Sequence, residues 1–348
     1  MKDLKYLAAY SIPLAAILGL FLKGNWAFFT PIFAFVIIPI FELLLPVKTE
    51  NLNAEEVTIK LKNPFFDLLL YLNLPLVFGI VGWFLWSLSW FEYSTAELVG
   101  LTISVGIAVG GNGINVAHEL GHRKTRWEKI LAKILLIPAL YMHFYVEHNY
   151  GHHLNAATAE DPASARYNQT VYSFWFTSMF RQYASAWKIQ LDLLKRANKT
   201  FFSIQNDMLF YTIIQLLYLG IIAYLLGPFA AGIAIGIGIT SAILLETINY
   251  IEHYGLSRNK TKSGRYERVS EVHSWNSNHV MGRVILYELT RHSDHHFKST
   301  KKYQTLEYHD ISPQMPFGYP TSMLLSLVPP LWFAIMNKRI PLEMRPAG

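Results

Sequence analysis

Nine of the chain's 13 histidines fall in four short stretches. The first is His118-Glu119-Leu120-Gly121-His122, where a helix would set the two imidazoles at i and i+4 on one face, about 6 Å apart along its axis. The second, Glu147-His148-Asn149-Tyr150-Gly151-His152-His153, repeats that pair and adds a histidine turned by about 100°. The third is Glu252-His253-Tyr254-Gly255 and the fourth is Arg291-His292-Ser293-Asp294-His295-His296. Imidazoles at helical spacing converge on a metal ion, and a neighbouring histidine can serve a second ion. A single histidine at a helix end is more often solvated or packed in a core. His143, His273, His279 and His309, outside the four stretches, are read that way.

Two kinds of metal chemistry fit. HELGH satisfies the HExxH pattern of zinc proteases, in which the glutamate is the general base and the histidines hold zinc. Such a site needs one further ligand and leaves seven clustered histidines unexplained. Nine neutral imidazoles exceed one tetrahedral zinc but suit two irons, each with four or five nitrogen ligands and a position open to oxygen. Zero cysteines remove other options: disulfides, thiolate zinc sites, a cysteine nucleophile, and iron–sulfur or rubredoxin centres within these residues.

The elements that position the histidines are hydrophobic. The 348 residues are 52% hydrophobic and 16% charged, and the mean hydropathy is +0.23, too apolar for an ordinary soluble chain. Six runs approach the roughly 20 apolar residues that cross a bilayer: 6–22, 26–46, 68–90, 98–117, 208–226 and 229–251. Glu42 and Glu246 are the only charges inside the second and sixth runs. The first run lacks a small-residue cleavage site before Trp26 and is read as a span, not a signal peptide. Two further stretches, 130–146 and 323–336, are interrupted by Lys133 and Pro138 and by Pro329 and Pro330, and read as interfacial or re-entrant. With both termini in the cytoplasm, Lys23 is the one basic residue of 30 on the outer side. That bias sets the orientation and assigns the net charge of +6 to the cytoplasmic face, not to nucleic acid. The expected fold is all-α: a single six-span membrane domain over residues 1–348, with catalytic segments 118–207 and 252–348 on the cytoplasmic side.

HELGHR, EHNYGHH, NYIEHYG and RHSDHH, with NAATAEDPASAR and SWNSN between them, closely resemble the membrane-bound alkane monooxygenases, the non-haem di-iron hydroxylases of hydrocarbon-degrading bacteria. The wider superfamily of membrane fatty-acid desaturases and hydroxylases shares three histidine boxes; the HYG and HSDHH elements mark the alkane and xylene branch. The resemblance covers about residues 98–320. Ala159 stands where that family usually carries proline. The resemblance implies that His118, His122, His148, His152, His153, His253, His292, His295 and His296 hold two irons. Glu119, Glu147, Asp161, Glu252 and Asp294 then become the carboxylates that accept the outer N–H of the ligands. It also implies a bacterial inner-membrane enzyme that hydroxylates medium-chain n-alkanes at the terminal carbon with O2, on electrons from rubredoxin and its reductase. Within the superfamily the alternatives are a fatty-acyl desaturase or hydroxylase and a xylene-type monooxygenase. More distant ones are an intramembrane zinc protease and a metal transporter; histidines on one face, away from the bilayer midplane, weigh against transport.

An alkane has no polar handle, so its binding comes from apolar area, about 0.8 kcal/mol per buried CH2. A slot between spanning helices would supply it, and Pro39, Phe41, Leu72, Leu76 and Phe78 are placed on its wall as apolar residues of those helices. Arg123, Lys124, Arg126, Arg258, Lys260, Lys262, Lys301 and Lys302 lie near the histidine boxes in sequence. They form the expected docking surface for an acidic donor such as rubredoxin, with anionic lipid headgroups as competing partners.

Overall fold

Three of the long helices begin where a side chain caps them. The computed structural model describes residues 2–345; Met1 and residues 346–348, part of the expected segment 252–348, lie outside the described residues. Helices α1 (Asp3–Leu22), α2 (Gly24–Leu44), α4 (Pro64–Ser87), α5 (Thr95–Gly121), α8 (Asp207–Leu226) and α9 (Pro228–His253) are long and apolar enough to cross a membrane. Between α2 and α4 lies the short polar α3 (Ala54–Lys62). Two further helices, the amphipathic α6 (Arg126–Leu135) and α7 (Val171–Arg196), lie between α5 and α8. Each span matches an apolar run of the sequence to within a few residues, and side-chain caps set three of the starts. Ser94 and Glu97 form a reciprocal capping box that starts α5 ahead of its apolar run. Asn63 accepts the Phe65 N–H with Pro64 at the first helical position, and Asn206 accepts the Leu209 N–H. Among the described residues extended backbone pairs only in isolated bridges, so the class is all-α.

Two compact units divide the described chain. The first comprises residues up to Ile37, Asn63–Val146 and Gln190–Leu245. Its helices are bonded by buried polar groups: Asn112 Nδ2 donates to Asn73 Oδ1 at 2.8 Å and to the Ala9 carbonyl at 3.0 Å. Ser104 Oγ donates to the Ala27 carbonyl at 2.7 Å. In an apolar solvent such bonds have no water to compete with them. Close approach needs small residues: a Cβ on Gly106 would stand 2.5 Å from Thr240 Cβ. On α8, Leu216, Leu217, Ile221, Tyr224 and Leu225 are exposed, an apolar face suited to lipid. The stretch 130–146 is broken, α6 ending before Pro138. His143, beyond it, is buried with its ring centroid 4.1 Å from that of Tyr141, and burial pushes its imidazole down to about 3.

The second unit comprises Ile38–Lys62, Glu147–Ile189 and the chain from Glu246 onward. Its backbone is mostly short helices and loops. The stretch 323–336 is split, as Pro329 starts a new helix, Pro329–Met336, after Tyr319–Ser326. Arg291 ties the unit together: its guanidinium donates to the Leu306 carbonyl at 2.7 Å, the Glu50 carbonyl at 3.2 Å and Asn278 Oδ1 at 3.2 Å.

Candidate metal centre

Seven of the nine clustered histidines belong to the second unit, where a π-helix sorts them. His148–His152 is π-helical, with i→i+5 hydrogen bonding instead of i→i+4. The wider turn pairs His148 with His153, their Nε2 atoms 3.0 Å apart. His152, the i+4 partner expected for His148, faces another group. Gly151 is the residue that allows this turn: a Cβ there would stand 2.7 Å from Glu147 Oε1 and 2.9 Å from Ile189 Cδ1.

His152, His253, His292 and His296, all buried, offer ligand nitrogens within 4.8 Å of one another. His152 Nε2 lies 3.2 Å from His296 Nε2, which lies 2.9 Å from His292 Nε2; that atom in turn lies 3.2 Å from His253 Nε2. Metal–nitrogen bonds of about 2.1 Å put neighbouring ligand nitrogens about 3.0 Å apart at right angles and about 3.4 Å apart at tetrahedral angles. The observed spacings are those of a ligand set, so the residues fit a nitrogen-bound metal. Burial, reinforced by the surrounding histidines, holds the His296 imidazole well below its ordinary value, so no proton competes for its lone pair. The remaining histidines of the unit form a smaller group, with the His153 and His295 rings 5.0 Å apart and the His148 and His295 rings stacked at 6.3 Å.

The carboxylates near these rings have different jobs. Asp161 Oδ2 lies 2.9 Å from His152 Nδ1 and accepts from Ser164 Oγ at 2.5 Å, while Oδ1 accepts the Ala163 N–H at 3.1 Å. Burial alone would raise the Asp161 carboxyl, but His152, His253 and Ser164 outweigh it and hold it below the usual range. A carboxylate on Nδ1 fixes the His152 tautomer and aims Nε2 at the cluster. Glu252 departs from the expected outer position: Oε2 lies 3.3 Å from His292 Nε2, the nitrogen facing the cluster, while Oε1 accepts from the Tyr319 hydroxyl at 2.8 Å. Glu147 is buried, and burial, with Asp161 and Glu246 nearby, holds its carboxyl well above the usual range. Asp294 bonds to His309 and Lys301, both read from sequence as lying outside the ligand shell.

In the first unit His118 and His122 stand at the end of α5 with ring centroids 5.3 Å apart. Glu119 between them pairs with Arg123 at 2.9 Å, and Arg123 also reaches Asp67 at 3.1 Å.

Several expected surface and slot positions are corrected. Arg123 and Arg258 are buried, the latter donating to the Leu154 and Glu267 carbonyls, and are not the exposed charges expected of a docking surface. Lys124, Arg126, Lys260 and Lys262 are exposed; Lys301 and Lys302 are half-buried. Phe41 and Leu72, placed on the slot wall, are exposed at 46% each, because Ile38 and Glu42 define the inner face of α2 and Asn73, Val77 and Ile80 that of α4. Pro39, Leu76 and Phe78 are half-buried.

Sequence reasoning assigned no role to two buried acids. Glu246 accepts from Ser178 Oγ at 2.6 Å and from Gln182 Nε2 at 2.8 Å. Glu42 packs against Gly282 and Gly318. The signal was present, since each is the sole charge in an apolar run, where an ionisable group is expensive to keep without a purpose.

A helical membrane protein with buried polyhistidine groups and no thiolate belongs to the class of multi-pass, metal-dependent oxidoreductases. The family model for fatty acid desaturases matches residues 94–324. Alkane 1-monooxygenase of Acinetobacter baylyi is 38% identical over 328 residues, covering 92% of this chain and 78% of the relative. Alkane 1-monooxygenase 1 of Pseudomonas aeruginosa is 37% identical over 317 residues, covering 90% and 83%. The xylene/toluene monooxygenase hydroxylase component of Pseudomonas putida is 27% identical over 348 residues, covering 97% and 89%. The chain belongs to the fatty acid desaturase family, in the branch it shares with the alkane 1-monooxygenases.

Proposed function

We propose that this protein is an alkane 1-monooxygenase, converting RCH3, O2, two electrons and two protons to RCH2OH and water. The four buried histidines with nitrogens 2.9–3.2 Å apart carry the reading, because four imidazoles converging at the spacing of a ligand set supply the nitrogen donors that a metal-dependent hydroxylase needs. His152, His253, His292 and His296 would hold one iron. His148, His153 and His295 are ligands of the same kind in that unit, and the resemblance assigns His118 and His122 of the HELGH segment to iron as well. Bound iron supplies the two-electron chemistry of O2 that an unactivated C–H bond requires, which side chains alone cannot provide. Asp161 keeps the His152 lone pair directed inward, and the surrounding apolar side chains exclude water and seat a chain that has only its CH2 groups to offer.

Electrons would come from rubredoxin on the cytoplasmic side of a bacterial inner membrane, with both termini on that side; the positive-inside bias supports this orientation. The protease reading loses its base, since Glu119 is engaged by Arg123 at 2.9 Å. Gas chromatography of cells expressing the chain and fed octane or palmitate tests the proposal. 1-Octanol is expected from octane, with palmitate unchanged; hydroxylated or desaturated palmitate alone would replace it with an acyl-chain enzyme. Elemental analysis should give about two irons per chain, and one zinc without iron would end the oxygenase reading.

A further inference from the structure

His292, His295 and His296 sit in α10 (His292–Phe297), a helix of six residues. So short a helix cannot hold itself: its first N–H groups have no partner within it, and its one turn fixes more dihedral angles than its hydrogen bonds repay. Groups outside must fix it. On one flank Arg291 is anchored to the Leu306 and Glu50 carbonyls, and Asn276 bonds Ser293 through both Oγ and N–H. On the other flank stands Asp294, 2% exposed. Its Oδ1 lies 2.9 Å from His309 Nε2, and its Oδ2 accepts from Lys301 Nζ at 2.8 Å and the Glu307 N–H at 2.7 Å. Lys301 also reaches Glu307 Oε2 at 2.5 Å.

Asp294, Glu307 and His309 alone could hold a cation. The Lys301 ammonium, bonded to both carboxylates, already supplies the positive charge there, so the cluster is complete without one. What it does is grip the helix: Asp294 lies between His292 and His295 in sequence, and its partners come from the loop that follows. A buried carboxylate with three donors is held in one rotamer, and the backbone carrying the flanking imidazoles is held with it.

We propose that His309 and Lys301 are positioning residues that act through Asp294 to keep His292, His295 and His296 in metal-binding geometry. The proposal rests on reading those histidines as iron ligands. His309 then works as a donor, and an amide can replace it where a methyl cannot.

The test uses the purified full chain in lipid nanodiscs. It reads iron per chain, the rate of iron loss to a chelator and the Mössbauer spectrum of the bound iron. Groups that directly hold ligands alter metal affinity by about 10–100-fold; one bond further out, His309→Ala and Lys301→Ala should speed iron loss by about 3–10-fold and shift the quadrupole doublets. His309→Gln and Lys301→Arg, which keep a donor, should stay within about twofold of the parent. Parent-like iron loss and spectra in both alanine variants would overturn the proposal. So would equal iron loss from His309→Gln and His309→Ala, since packing alone would then explain the effect. A parent protein that holds no iron would instead overturn the reading on which the proposal rests. Lys301→Ala keeps the test decisive if His309→Ala fails to fold, because the lysine is removed from the outer side of Asp294 without emptying the space of a ring.

Discussion

In three of the membrane helices a polar residue caps the start and an apolar run continues the helix, as Ser94 and Glu97 do for α5 and Asn206 does for α8. Around the histidines the order comes from far away in the chain. Asn276 holds Ser293, Gly255 N–H reaches the Ala165 carbonyl, and Arg291 spans from Glu50 to Leu306. The first kind of structure is stabilised by length and hydrophobicity, and tolerates change anywhere a lipid-facing side chain can move. The second is stabilised by individual polar bonds in a buried setting, where each lost partner leaves an unsatisfied group. Mutations in the two regions should therefore fail in different ways.

The largest effect is expected inside the four-histidine group. His253→Ala and His292→Ala should each abolish alkane hydroxylation and remove about one of the two irons, measured by product analysis and elemental analysis of the same preparation. Full iron with no activity would break the link between this geometry and metal binding. Next comes Asp161→Asn, which keeps the shape but removes the charge held against His152 at 2.9 Å. Iron affinity or turnover should fall about 10–100-fold. Ser164→Ala, taking one of the bonds that hold Asp161, should fall less. A helix substitution sharpens the contrast. Gly106→Val puts atoms where Thr240 already stands, and overpacking of this kind costs about 1–3 kcal/mol. The melting temperature should drop, while the iron content of the chains that do fold stays at the parent level. Loss of iron in proportion to stability would show that the two regions are less independent than their construction implies.

The same contrast explains what could be read from the sequence. Apolar runs and histidine spacing are local signals, and they pointed to six spans and to four histidine stretches. The π-turn over His148–His152 was hidden, because an extra residue per turn leaves no mark on a list of histidines; the glycine at position 151 was its only trace. Glu252 lies on the cluster side of His292 because of a bond from Tyr319, 67 residues away, which no spacing rule reports. Arg123 and Arg258 looked like surface charges because burial of an arginine depends on carboxylates and carbonyls supplied by other segments.

The smallest effect is expected at Leu72, a proposed slot position that is exposed in the structure. Leu72 is exposed on α4, whereas Val77, about a turn and a half further on, is 1% exposed. At about 100° per residue, five residues turn the helix through about 500°, which separates the two side chains by about 140° around the axis. One therefore faces outward, where lipid replaces any contact it loses, and the other faces packed protein. Leu72→Ala should change the melting temperature and the range of alkanes accepted by less than the scatter of the assay, because surface changes away from special features stay within about 0.5 kcal/mol. Val77→Phe adds volume on the inward side and should shorten the longest n-alkane converted, leaving attack at the terminal carbon. Gas chromatography of products across an n-alkane series separates the outcomes. A chain-length profile altered by Leu72→Ala and unaffected by Val77→Phe would place the substrate against the outer face of α4 and return Leu72 to the wall.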